Sequence, residues 1–231
     1  MERSLLKHQQ CEQRFEYDRE LRKSRGIVCG IDEAGRGPLI GRVYAAAVIF
    51  DDETFIEGLD DSKKLSEKKR EELFEEITQK AVSYAVGYAE VEEIEKLNIL
   101  QATFLAMERA FKGLSQKPDL ALVDGNRTPP LPVKVEAVVK GDSVSASIAA
   151  ASILAKVSRD RYMKEIDKKY PQYGFASNNG YGTQEHIDAL IKYGITPIHR
   201  RFFLRKAEAK FGKFKDHEEV EEIRETEEIN Q

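Results

Sequence analysis

Four acids stand where apolar, β-prone runs of the sequence stop: Asp32 with Glu33, then Asp124, then Asp142. Strand ends on one edge of an α/β sheet converge, so these acids can share a crevice. Carboxylates gathered without partners repel one another and take up protons unless a cation neutralises them. A ligand set made only of oxygen suits hard ions, Mg2+ or Mn2+. Such a site is the apparatus of two-metal phosphoryl hydrolysis, in which ions about 4 Å apart activate water and stabilise the leaving oxygen. A plainer reading stands beside it, in which Asp142 caps the helix that follows and Asp124 caps a turn.

Between the first acids and the next strand lies a loop with glycines at 35, 37 and 41. The spacing is one residue off the dinucleotide fingerprint and the loop leads into a strand, so a Rossmann site is not expected, nor is there a P-loop lysine pattern. The glycines instead let backbone amides approach a ligand closely. The four histidines (8, 186, 199 and 217) and two cysteines (11 and 29) have no zinc-site spacing. Cys29, inside an apolar run, reads as a core residue. Asn126-Arg127-Thr128 matches a glycosylation sequon, which has no meaning without secretion.

The elements that must position these groups follow from periodicity. Residues 1–25 read as a helix, with Leu5, Leu6, Phe15 and Leu21 among alternating charges. Ile27 to Asp32 and Val43 to Phe50 read as buried strands joined by the glycine loop. Ser66 caps a helix to about Lys80, and Val82, Tyr84, Val86 and Tyr88 alternate as a strand. Asn98 with Gln101 resembles a capping box for a helix to about Leu114. Leu120 to Val123 and Val133 to Val139 are strands, and Ser143 to Lys169 is a long helix whose first half is almost all Ala, Ser and Ile. Such small side chains predict close backbone packing on a sheet. Thr183 caps a further helix that ends at Gly194. The pattern predicts one mixed-sheet α/β domain with the segment after about Tyr170 wrapped onto it.

The chain has 231 residues, 41% apolar and 34% charged, with a net charge of -4. The longest apolar run falls far short of the ~20 residues of a transmembrane helix, and the first 25 residues lack the apolar stretch of a signal peptide. A soluble, cytoplasmic protein without membrane contact is expected. The charge is uneven: His199 to Lys215 nets +6, and the last sixteen residues net -7. The tail reads as a solvated acidic helix, or as a segment that competes with phosphates for the basic stretch.

The string GIDEAGRGP from Gly30 to Pro38 closely resembles the signature of the ribonuclease HII family. DSKKLS at 61–66, LVDG at 122–125, KGDSVSASIAAASILAKVSRDRYM at 140–163, GYGTQEH at 180–186 and YGITPIHRRFF at 193–203 follow in family order. The last resembles the bacterial branch. The sister ribonuclease HIII family carries a large extra N-terminal domain that residues 1–25 cannot supply.

The resemblance runs from about Gly26 to Arg205. It implies a ribonuclease H-like mixed five-stranded sheet flanked by helices, with a C-terminal helical extension. Residues 1–25 would form an N-terminal helical extension, 26–198 the catalytic domain, and 199–231 a C-terminal helical segment with a basic stretch and an acidic tail.

It further implies that Asp32, Glu33, Asp124 and Asp142 are the catalytic metal ligands for two Mg2+ or Mn2+ ions. Gly35, Arg36 and Gly37 would sense the ribose 2′-hydroxyl, and Tyr181 would rest against the sugar on the DNA side of the cut. Lys63 and Arg159 match basic positions that touch phosphates, with further contacts from the basic stretch after His199. The implied activity is a monomeric endoribonuclease that cuts the RNA strand of RNA/DNA hybrids and cuts 5′ of single ribonucleotides in duplex DNA. It would leave 3′-hydroxyl and 5′-phosphate ends. The alternatives are a ribonuclease HIII-like preference for long hybrids and a catalytically silent hybrid-binding module.

Overall fold

The computed structural model describes residues 2–222, with side chains from residue 5 onward. Along the chain run α1 (Glu2–Arg25), β1 (Val28–Ala34), β2 (Val43–Ile49), α2 (Glu67–Lys80), β3 (Ser83–Ala89), α3 (Val91–Leu97), α4 (Ile99–Lys112), β4 (Leu120–Asp124), β5 (Lys134–Val138), α5 (Ala146–Lys169), α6 (Phe175–Asn178), α7 (Gln184–Tyr193) and α8 (Arg201–Phe211). Residues 217–222 are also helical, and the rest of the acidic tail, residues 223–231, lies outside the described residues. No described helix is long and apolar enough to cross a membrane.

The chain forms two compact units. The first holds the residues up to Arg36, Val43–Ala89 and Ile99–Arg159; the second holds Gly37–Arg42, Glu90–Asn98 and the residues from Asp160 onward.

In the first unit the strands form one mixed sheet in the order β3-β2-β1-β4-β5. β2 pairs antiparallel with β1 and β3, whereas β1, β4 and β5 run parallel. β1 continues through Glu33 to Ala34, two residues past the point where the apolar pattern stops, because β2 pairs with it there, Glu33 to Ala45 and Ala34 to Tyr44. The α4 helix covers one face: a Cβ built on Gly87 would lie 2.4 Å from the Ala106 carbonyl oxygen. The opposite face buries Phe15 of α1, Leu73 and Ile77 of α2, and Ala150 and Leu154 of α5 against Val48 and Phe50. Each large side chain of this kind contributes ~1.5 to 3 kcal/mol on leaving water.

The small residues of α5 do bring backbones together. A Cβ on Gly30 of β1 would lie 2.2 Å from the Ile148 nitrogen and the Ser147 carbonyl carbon, so glycine is the residue that lets α5 settle on the sheet.

The second unit has its own core, with Ile40, Tyr173, Phe175, Ile187, Leu190, Ile195 and Leu204 buried together. Thr183 caps α7 by accepting from the His186 N–H, and Gly194 ends it at φ 81. The helix α3 is not announced by the sequence, since seven residues with Val91 and Ile94 turned inward are too few to show a period. It also displaces the expected capping box. Glu93 accepts from the Glu90 N–H at 2.9 Å, while Asn98 closes α3 at φ 70 instead of taking the extended form of a helix N-cap.

Candidate active site

In the parallel register Gly30 pairs with Leu122 and Ile31 with Val123, so one step further Asp32 comes beside Asp124. Side chains alternate along a strand. Gly30 faces the start of α5, and Leu122 is buried with Ile148, so Asp32 and Asp124 share the α5 face of the sheet. Asp124 pairs with Val138 on β5, after which Lys140, at φ 56, turns the chain into a 3-10 turn, Gly141–Ser143, that carries Asp142. Asp32 near the end of β1, Asp124 at the end of β4 and Asp142 just past β5 therefore stand at the carboxyl ends of three neighbouring parallel strands.

The local bonds are not those of simple caps. Ser145 Oγ, and not Asp142, accepts from the Ile148 N–H at 3.2 Å at the start of α5. Asp124 Oδ1 accepts from Gly141 N–H at 2.6 Å, seventeen residues on, and so ties β4 to the Asp142 loop.

The charges feel one another. Burial first, and then Glu33, Asp124 and Asp142, push the Asp32 carboxyl well above the usual carboxylate range, although it accepts from the Glu33 N–H at 2.7 Å. Burial raises Glu33 too, opposed by Arg36, whose guanidinium donates to it at 3.2 Å, and by Lys63. Asp142 is raised by burial, by Asp61 and by Asp124.

Among the described residues no three of His, Cys, Asp and Glu form a ready-made ligand cage. The acids are close enough to oppose one another's ionisation, yet Asp124 is turned to Gly141 and Glu33 to Arg36. Buried, mutually repelling oxygen donors, opposed in part by Lys63 and Arg36, fit a hard divalent cation, whose charge relieves the repulsion.

The other expected positions are spread over both units. Gly35 adopts φ 97, a backbone that glycine enters without strain. Lys63 is exposed in the 3-10 turn Ser62–Lys64, which Asp61 caps by accepting from the Lys63 N–H at 2.9 Å. Arg159, expected on a phosphate, is only 2% exposed on α5.

In the second unit, a Cβ on Gly37 would touch the Tyr181 ring at 3.4 Å, and Tyr181 is 51% exposed. A directional chain fixes the Tyr181 carbonyl. The Thr196 N–H donates to His199 Nδ1 at 3.0 Å, so His199 donates from Nε2 to His186 Nε2 at 3.1 Å, and His186 donates from Nδ1 to the Tyr181 oxygen at 2.9 Å. Burial, then the facing His186, hold His199 down to about 3, so it stays neutral in this arrangement.

Not all of the basic stretch is available for phosphates. Arg200 is fully buried and donates to the carbonyls of Gly41, Pro38 and Arg42. It holds the end of the glycine loop. Arg201 is paired with Asp216. Sequence reasoning also missed Asp61 and Arg14 beside Asp142. Asp61 lay within a recognised motif, but Arg14 was one charge among many.

A mixed sheet of this order with acids at its parallel strand ends defines a ribonuclease H-like protein. The solved ribonuclease H2 from Pyrococcus horikoshii OT3 superposes with a TM-score of 0.66 at 30% identity, covering 81% of this chain and 99% of the other. A Bst-RNase HIII in complex with Mn2+ shares the fold at a TM-score of 0.60 and 16% identity, covering 81% of this chain and 67% of its own. The family model described as Ribonuclease HII matches residues 29–206. A curated Ribonuclease HII of the bacterium Albidiferax ferrireducens is 61% identical over 178 residues, covering 77% of this chain and 86% of the relative. The chain belongs to the ribonuclease HII family and is a ribonuclease H enzyme, an endonuclease.

Proposed function

We propose that this chain hydrolyses the RNA strand of RNA/DNA hybrids and cuts 5′ of a single ribonucleotide in duplex DNA. Asp32, Glu33, Asp124 and Asp142 would hold two Mg2+ or Mn2+ ions. The observation that carries the reading is the convergence of buried, mutually repelling carboxylates at adjacent parallel strand ends, which needs cationic compensation to remain ionised. Such ions, when bound, supply an activated water and stabilise the leaving oxygen.

The chain's own residues do the rest. Asp32 and Asp124 stand at fixed register on paired strands, and Glu33 and Asp142 flank them. Lys63, exposed beside the acids, meets a phosphate. Gly35, Arg36 and Gly37 bring backbone to the 2′-hydroxyl, and the half-exposed Tyr181 ring meets the next sugar. Residues 26–198 carry catalysis, and the exposed cations after His199 add salt-dependent affinity. The protein acts as a monomer in the cytoplasm.

One assay separates this reading from a long-hybrid specialist and from a silent binding module. The chain is incubated with Mg2+ or Mn2+, a continuous hybrid, and a duplex with one ribonucleotide. Both should be cut, with 3′-hydroxyl and 5′-phosphate ends. Cleavage of the hybrid alone favours the long-hybrid specialist, and binding without cleavage removes the catalytic reading.

The tail has a defined role to test. Its first residues are docked: the Ile195 N–H donates to the Lys215 carbonyl and the His217 N–H to the Ile195 carbonyl. Removing residues 218–231 spares these bonds and deletes a net charge of -6. Affinity for hybrid at low salt is expected to rise ~2- to 10-fold, and the difference should vanish as ionic strength increases. Filter binding across a salt series checks it, and an unchanged affinity at low salt assigns the tail no competition with phosphate.

A further inference from the structure

Helix α1 lies outside the stretch that the family model matches, yet two of its charged side chains are nearly sealed, Arg14 at 4% and Asp18 at 1% exposure. The Arg14 guanidinium donates from Nε to the Asp142 carbonyl at 3.2 Å, from Nη1 to the Leu59 carbonyl at 3.1 Å and from Nη2 to Asp60 Oδ1 at 2.6 Å. Asp60 Oδ1 also accepts from the Asp61 N–H at 2.9 Å and from Lys64 at 3.3 Å. One planar group thus joins the backbone of Asp142 to the segment that leads into the Asp61 and Lys63 turn. One turn further along α1, Asp18 Oδ2 accepts from the Ser147 N–H at 2.8 Å, in the first turn of α5.

Phe15 and Cys11 already give α1 an apolar anchor on the sheet. Sealing two charged side chains in the same interface is costly unless hydrogen bonds meet them, and what these bonds hold is the loop from Asp142 to Ser147. Arginine suits the task because its rigid fork fixes three acceptors at once, which a lysine ammonium on a flexible stem does not.

We infer that Arg14 and Asp18 are positioning residues for the cleavage reaction. They set the Asp142 loop against β4 so that the Asp142 carboxylate meets Asp124 and Asp32, and they lock the Lys63 turn beside it. The inference rests on the reading of Asp142 as a metal ligand.

The test compares the full-length wild type with Arg14→Lys, Arg14→Gln, Asp18→Ala and Asp142→Asn. Mn2+ binding is followed by calorimetry in the absence of substrate, kcat and KM are measured on a hybrid, and amide hydrogen exchange is measured without metal. The Arg14 variants should fold, bind Mn2+ ~10- to 100-fold more weakly and lose kcat in the same range, with KM for hybrid within twofold. Faster exchange should be confined to residues 59–64 and 141–147. Asp18→Ala should move in the same direction.

Mn2+ affinity and kcat within twofold of wild type in the Arg14 variants would overturn the inference. So would losses that disappear when each variant is assayed well below its own Tm. Failure of all three α1 variants to fold would also overturn it, because a joint between two loops does not carry a whole sheet. If Asp142→Asn turns over normally, the ligand reading itself fails, which is a separate outcome.

Discussion

Asp124→Asn, and separately Asp32→Asn, should lower kcat in Mg2+ by at least ~10³-fold while the fold survives. A ligand that holds a catalytic cation contributes several kcal/mol to transition-state charge stabilisation, and each 1.36 kcal/mol is tenfold in rate. Asparagine preserves the shape and one acceptor oxygen, so the Gly141 N–H that Asp124 accepts keeps a partner. What is lost is the negative charge.

Asp32→Asn should also stabilise the protein in chelator. Asp32 is buried and its carboxyl is raised above the usual range, so the folded chain binds that proton more tightly than the unfolded chain does. Its contribution is then fully present below the unfolded pKa, near 4, and is lost as pH rises through the folded value. In EDTA, wild-type Tm should fall over that window and the Asp32→Asn curve should fall less. Each kcal/mol relieved is worth ~2 to 4 °C at this size. Near-normal turnover in either variant removes the metal assignment, and equal pH slopes remove the electrostatic account of Asp32.

The second large effect belongs to Tyr181. Its ring is half exposed, touches the position a Gly37 Cβ would fill, and hangs from a carbonyl held by His186 and by the Thr183 N–H. Aromatic packing on a nucleic acid is worth ~1 to 3 kcal/mol by analogy with base stacking, so Tyr181→Ala should slow cleavage by ~10- to 100-fold. The loss should be greatest where the sugar 3′ of the cut is deoxyribose. Tyr181→Phe should recover most of it if the ring surface dominates, and little if the hydroxyl touches a phosphate. Values of kcat/KM on a duplex with one ribonucleotide and on a continuous hybrid decide the matter. Equal losses on both substrates return Tyr181 to a packing role.

What could be read from the sequence depended on how far each residue acts along the chain. Asp32, Asp124 and Asp142 were legible because a strand is a local pattern and its end is a visible change from apolar to acidic. The small residues of α5 likewise announced a close approach, though not that Gly30 would be the position they meet. Arg200 was counted among surface cations because charge alone does not show that three carbonyls of a distant loop surround it. Arg14 was hidden for the same reason, since its partners stand 45 to 128 residues away. The capping box was misplaced because α3 is too short to leave a period, so the next polar pair took its role.

The long reach of α1 also sets an order of events during synthesis. The Ser147 amide that Asp18 accepts is 129 residues downstream, and at ~5 to 20 residues per second it is made ~6 to 26 s later. Through that interval α1 has neither β4 nor α5 to rest on, although Phe50, Phe55, Leu59 and Asp60 are already made to receive Phe15 and Arg14. The antiparallel β1-β2-β3 meander is complete by residue 89, so the strands can pair while the helix waits. The loop from Asp142 to Ser147 therefore gains its bonds to Arg14 and Asp18 only when an early-made helix meets late-made chain.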